Sequence, residues 1–292
     1  MHFLQLDFKA ACEYLGGKSD ADPAEVERQR KEYERIRAEQ EAAEAAALLA
    51  RRKKFAERAV WKRYHANLDA VQGARQLWRD AGVPDAWQDF LRLGYTPDLW
   101  ARPDEPGLGP ALTIPYRTLN KTVVTMQYRL QHVNGMGKYI FQPGLGTEAF
   151  ILRHDLPFAQ ILITEGAKKS IVAHIRGTEG QLQTLGTPSE NHIGSQEIEQ
   201  VITQAKEIWW WPDPGDKAYE WALDHIQRLG IQNKTKLVRF TTAKVDDALL
   251  SGLSMQGFKA SLSTARLASL IINRRNHEQE NRRTRRAARG TA

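Results

Sequence analysis

Between Pro23 and about Val71 the chain holds no glycine or proline and few large apolar residues; Ala, Glu, Arg, Lys and Gln dominate. These residues lose little freedom in a helix, so the pattern predicts one long helix with little face to bury, a projecting arm or linker. Before it, Phe8, Ala11, Cys12 and Leu15 recur at helical spacing, and Gly16-Gly17 closes that first helix. Globular composition returns at Gly73–Trp100. Beyond the turn-rich segment Arg102–Pro110, three apolar runs read as strands, Ala111–Tyr116, Thr122–Tyr128 and Lys138–Phe141, with Leu119-Asn-Lys121 as a tight turn.

The pattern changes again at Phe158. Apolar runs at Ile161–Thr164, Leu182–Leu185, Ile208–Trp211 and Lys236–Phe240 alternate with helical stretches at Ala167–Ile175, Ser195–Ala205 and Lys217–Leu229. Strands alternating with helices imply crossover connections and a mostly parallel sheet. The expected class is therefore α/β, a four-stranded mostly parallel sheet with flanking helices, preceded by a small α+β subdomain. Ser195 is the expected cap of its helix. At least two of Trp209, Trp210 and Trp211 should be core, since such a strand is covered on both faces; a base-stacking platform is the alternative.

Charge adds a second layer. The 292 residues carry a formal net charge of +7, but Arg51–Arg63 holds seven bases against Glu57, and Asn273–Ala292 holds seven arginines against Glu278 and Glu280. The remainder is net acidic. Basic patches on an acidic body suit a polyanion; solvated helix faces are the alternative. No apolar run is long enough to span a bilayer, and no apolar leader opens the sequence, so a cytoplasmic protein without membrane attachment is expected. With Cys12 as its single cysteine, the chain has no disulfide and no expected zinc. His154, His174, His192 and His225 lack metal-ligand spacing.

Acids gather at the predicted strand ends: Glu165 after the first, Asp213 and Asp216 after the third, Asp246 and Asp247 after the fourth. Chemistry in parallel sheets sits at those ends. Carboxylates brought together repel, so a divalent cation is the expected neutraliser, and hard oxygen ligands favour Mg²⁺ or Mn²⁺. Alternatively each acid stands at a helix entry, favoured by the helix dipole. For Asp216 both readings are open, helix cap or ligand.

Glu165-Gly166 after a strand, Asp213 after another, and Lys244-Val-Asp-Asp-Ala-Leu249 resemble the Toprim domain shared by bacterial-type primases, topoisomerases and certain nucleases. Ala111–Arg117, the strand Thr122–Leu130 and Gly137–Pro143 are similar to the subdomain preceding Toprim in primases, and Asp89–Pro97 to its lead-in. Asp7–Leu15 resembles the closing helix of the primase zinc-binding domain. The resemblance implies five parts: a remnant helix at 1–18, a charged helical linker at 19–72, a primase-type subdomain at 73–157, a Toprim domain at 158–252, and a C-terminal helix with basic tail at 253–292. It implies a primase-like enzyme of a phage, plasmid or other mobile element, making RNA primers on single-stranded DNA from nucleoside triphosphates, with a replicative helicase as a further candidate partner. Glu165 and Asp213 are the implied catalytic residues, Glu165 as metal ligand or proton shuttle. Arg117, Lys121, Arg129, Lys138, Lys168 and Lys169 are the implied nucleotide or nucleic-acid contacts. A Toprim nuclease and a non-catalytic DNA-binding accessory are the competing classes.

The sequence departs from the family at three places. It carries no Cys/His cluster for a zinc ribbon; Lys169 stands where primases often place an acid; Gly215 replaces the second acid of the usual Asp-x-Asp. If the arginine tail holds nucleic acid, deleting Arg274–Ala292 will flatten the log–log salt dependence of single-stranded DNA binding by roughly 0.7 for each phosphate the tail had neutralised. Affinity titrations across a salt series check this; an unchanged slope makes the tail a bystander.

Overall fold

A computed structural model describes residues 23–101, 107–132, 137–153, 155, 157–189, 192–238 and 243–278. The expected helix at Met1–Lys18 and the arginines beyond residue 278 lie outside them. The chain divides into two units, 1–51 and 52–292.

Helix α1 (Pro23–Arg58) supplies the described part of the first unit. Its stabilisation there is local: Arg35 pairs with Glu32 at 2.6 Å and Glu39 at 2.5 Å, and Arg37 with Glu41 at 2.7 Å, the spacing at which helix side chains meet. Tyr33, Ile36 and Leu49 stay exposed. The expected single helix to Val71 is broken at Ala59, whose φ is +48°, a left-handed conformation costing a non-glycine residue about 1 kcal/mol. The break re-aims α2 (Val60–Ala70), so that Tyr64 and Leu68, four residues apart, are buried. Tyr64 packs against Leu99, Met126 and Tyr128, with Phe55 and Trp61 beside them. The end of the expected linker is thus core.

Short helices α3 (Ala74–Asp80) and α4 (Asp85–Leu91) lead into an antiparallel sheet of β1 (Gly94–Thr96), β2 (Ala111–Arg117), β3 (Val123–Leu130) and β4 (Tyr139–Phe141), in that order. The turn between β2 and β3 closes as expected, with Lys121 at φ +66° and its amide bonded to the Thr118 carbonyl at 2.9 Å.

The second sheet holds β5 (Phe150–Ile151), β6 (Gln160–Glu165), β7 (Gln183–Thr187), β8 (Glu207–Trp211), β9 (Thr235–Leu237) and β10 (Arg266–Leu267), in the order β10-β9-β8-β6-β7-β5. Strands β9, β8, β6 and β7 run parallel and correspond to the four expected strands; β5 and β10 add antiparallel edges. The sheet therefore has six strands, not four, because two-residue edges leave no alternation to read. Helix α5 (Ala167–Val172) follows β6 and widens into a π turn through Gly177; α6 (Gln196–Gln204), α7 (Asp216–Arg228), α8 (Val245–Leu250) and α9 (Met255–Thr264) follow, and residues 268–278 form α10. Ser195 stands at the head of α6 without a side-chain cap bond. Its amide donates to Glu148 Oε1 at 2.9 Å instead.

Successive side chains of a strand face opposite ways, and β6 uses both faces. Ile161 and Ile163 join Leu185, Ile208 and Trp210 in one core, while Leu162 joins Trp211, Leu249 and Phe258 in the other. Trp211 stacks on Phe258 with centroids 5.1 Å apart, so these two tryptophans are core.

His174, in the π turn, is buried beneath Trp87. Its Nδ1–H donates to the Leu182 carbonyl at 2.9 Å, and its Nε2 has no hydrogen-bond partner among the described residues. Burial pushes this imidazole down from 6.5 to about 4, against the raising effect of the Leu182 bond. Between those values the unfolded chain binds a proton that the native protein does not. Stability is therefore expected to fall as pH drops from 6.5 toward about 4, by up to about 3 kcal/mol. Urea midpoints across that window, compared with His174→Leu, check this: the variant should lose less.

Candidate functional site at the strand ends

Glu165 ends β6, and Gly166 turns the chain into α5. Glycine is required there by its φ of +77°; an added Cβ would meet no atom within 4 Å. Across the turn Gly166 N–H donates to the Thr187 carbonyl at 2.8 Å. That close approach explains a glycine in β7: a Cβ on Gly186 would stand 2.7 Å from the Gly166 carbonyl oxygen. The buried hydroxyls of Thr164 and Ser170 lie 2.8 Å apart and pin the first turn of α5 to the strand. The rigid turn aims Lys168 and Lys169.

Both lysines are engaged by acids. Lys169 Nζ is 2.5 Å from Asp213 Oδ1, at the end of β8, and 3.5 Å from Glu165 Oε2. The second Asp213 oxygen meets Lys244 Nζ at 3.0 Å. Lys168 Nζ reaches Asp246 Oδ2 at 3.0 Å, and Asp246 Oδ1 is buried without a hydrogen-bond partner among the described residues. Lys169 and Asp213 are only 13% and 11% exposed. Burial raises the Asp213 carboxyl, but Lys169 and Lys244 outweigh it and hold the group below its ordinary value. The bond to Asp213 raises Lys244 in turn.

A cavity of about 340 Å³ opens beside these pairs, between the β3–β4 end of the first sheet and the head of α5. Lys138, Tyr139, Ser189, Glu165, Asp246 and Asp247 are among its lining residues. At its lining the charge of Arg129 foremost, then burial and Lys168, push Lys138 below its ordinary value. A larger cavity, about 1160 Å³, lies around Leu223, Leu237 and Leu270 and contains none of the expected site residues.

The structure thus brings Glu165, Lys138, Lys168, Lys169, Asp246 and Asp247 to one cavity, with Asp213 joined to it through Lys169 and Lys244. Others are elsewhere. Asp216 is exposed in the first turn of α7, where Gly215 holds the cap position. Arg117 donates to the Leu91 carbonyl at 3.3 Å, and burial, then Arg92, lower it. Lys121 sits exposed in the β2–β3 turn. In the basic stretch after Arg51, Arg52 is drawn inward: it pairs with the buried Glu148 at 3.1 Å and donates to the Leu145 and Thr147 carbonyls. Lys244 opens the motif that holds Asp246 but was given no role from the sequence, and Tyr139 and Ser189 were not among the expected site residues.

The donor set has the hard oxygens that Mg²⁺ or Mn²⁺ takes, but their placement does not fit such an ion. Among the described residues no three acidic, histidine or cysteine side chains converge as a metal site, and both oxygens of Asp213 already face ammonium groups.

No protein-family model matches the sequence, and no curated protein matches it. Solved structures do share its fold. The Aquifex aeolicus primase, comprising zinc-binding and RNA polymerase domains, superposes with a TM-score of 0.61 at 12% identity, over 82% of this chain and 66% of that one. The E. coli primase catalytic core gives 0.58 at 14%, over 75% and 82%. A DnaG primase catalytic domain solved bound to single-stranded DNA gives 0.56 at 15%, over 78% and 84%. The chain therefore spans about two thirds of the Aquifex protein, and its mixed α/β fold is that of primase catalytic cores.

Removing one partner of a buried pair strands the other charge. Lys169→Met is expected to lower the unfolding free energy by about 3 kcal/mol, with Lys169→Arg losing less. Guanidinium denaturation of the three proteins checks this.

Proposed function

We propose that this chain is a primase-type replication protein, of a phage, plasmid or other mobile element, that binds single-stranded DNA and nucleoside triphosphates and joins nucleotides into RNA primers. The observation that carries this reading is the cavity at the parallel strand ends, lined by lysines and acids and walled by the β3–β4 hairpin, in a fold shared with primase cores. Lys138 and Lys168 offer phosphate contacts at its mouth, and Tyr139 offers a ring edge to a base. Glu165 lies in the cavity wall, where a carboxylate can take the proton of an attacking 3′-hydroxyl. The expected Mg²⁺ or Mn²⁺ is kept here only as counter-ion of the triphosphate, not as an ion held between Glu165 and Asp213. The fold's likeness to a DNA-bound primase domain supports the template partner; a replicative helicase is the further partner we propose.

One observation favours a second reading. The ammonium groups on Asp213 are what a binding module without catalysis would retain, a DNA-binding accessory of replication.

The separating experiment incubates the protein with circular single-stranded DNA, labelled ribonucleotides and Mg²⁺ or Mn²⁺, and resolves products on a gel. Labelled short RNA is the expected result. Retarded DNA without product supports the accessory, and shortened DNA indicates a nuclease. Glu165→Gln keeps the side-chain volume and removes the charge. It should leave DNA affinity near wild type and abolish nucleotide transfer; near-full activity in that variant removes Glu165 from the mechanism.

A further inference from the structure

The ammonium of Lys169 stands where the strand ends would otherwise present two bare carboxylates. It approaches Asp213 at 2.5 Å and Glu165 at 3.5 Å from the first turn of α5. That turn is fixed from below by the Thr164–Ser170 contact and by the Gly166–Thr187 hydrogen bond, so the lysine is aimed by the backbone and not merely swung in from solvent. Its side chain is 13% exposed. Lys244 covers the other oxygen of Asp213 at 3.0 Å. A divalent ion entering between Glu165 and Asp213 would have to approach an ammonium already in contact with both. It would also need oxygens at about 2.0–2.1 Å in near-octahedral array for Mg²⁺. The pair as built has the spacing and charge balance of an ion pair.

We propose that Lys169 is the resident cation of this site: its ammonium holds the Glu165–Asp213 pair closed to divalent ions, and removing it turns the pair into a divalent-cation site. The neutralisation that parallel strand ends require is here covalently attached to the chain.

The test uses the full chain and Mn²⁺ alone as probe, at constant ionic strength, with free Mn²⁺ read by its electron paramagnetic resonance signal and Tm followed in parallel. Wild type should show no saturable site involving Asp213, and its Tm should not respond to Mn²⁺. Lys169→Ala should bind Mn²⁺ at least roughly tenfold more tightly than wild type and recover Tm as Mn²⁺ is added, because only the native state holds the site. Adding Asp213→Asn to Lys169→Ala should abolish the gain. Lys169→Gln, which retains a polar side chain without the charge, serves as the second variant if Lys169→Ala does not fold, and the same gain is expected. Saturable Mn²⁺ binding by wild type that Asp213→Asn removes overturns the proposal. So does a lysine-free variant that gains no binding, since Lys169 would then be excluding nothing. Because Mn²⁺ binding is measured without DNA or nucleotide, its outcome and that of the primer-synthesis assay are independent.

Discussion

A parallel sheet delivers its acids to one end, and here lysines of the same chain stand against them. Glu165 and Asp213 leave neighbouring strands β6 and β8, whose residues Thr164 and Trp211 are paired in register. Carboxylates brought to one end of a sheet repel one another. Lys169 replaces that repulsion with two attractions through one nitrogen. The arrangement makes further demands on its surroundings: a glycine at 166 to start α5 beneath the carboxylate, a glycine at 186 so that β7 can pass, and a buried hydroxyl pair to lock the turn. Those requirements are backbone requirements, and they position a side chain that is itself flexible.

What was legible in the sequence was what repeats locally. Alternating helix and strand signals located β6 through β9, because each run carries its own period. The tight turn before Thr122 was legible from its own residues. Edge strands β5 and β10 were not, since two residues carry no period, and neither was the break at Ala59, an excellent helix former forced out of the helix by the burial of Tyr64 and Leu68 further on. Ser195 shows the same limit. Its identity suits a cap, yet its amide is taken by Glu148, 47 residues earlier.

The candidate site divides along the same line. Acids at strand ends could be read because each stands beside its strand in sequence. Their partners could not. Lys169 was visible as a departure from the primase pattern, but its bond to Asp213 spans 44 residues. For Asp216, three residues after Asp213, cap and ligand were both open from the sequence; it is exposed in the first turn of α7, with Gly215 at the cap position. Charge counting blurred a comparable distinction after Arg51, where Arg52 forms a 12%-exposed pair with Glu148 and is withdrawn from any polyanion.

Cationic character at this cavity is therefore not the sum of the lysines around it. Lys169 is internally neutralised, and Lys168 and Lys244 each hold an aspartate; what they can offer a phosphate depends on exchanging one anion for another. Lys138 and Arg129 have no such obligation among the described ion pairs, and the charge of Arg129, foremost, holds Lys138 below its ordinary value while Asp247 acts the other way. On the proposed reading a phosphate would be drawn to the β3–β4 hairpin, while the lysines of α5 and the one before α8 line the same cavity. That reading separates attraction from positioning: the first sheet contributes Lys138, in no described ion pair, and the second contributes lysines already paired with acids.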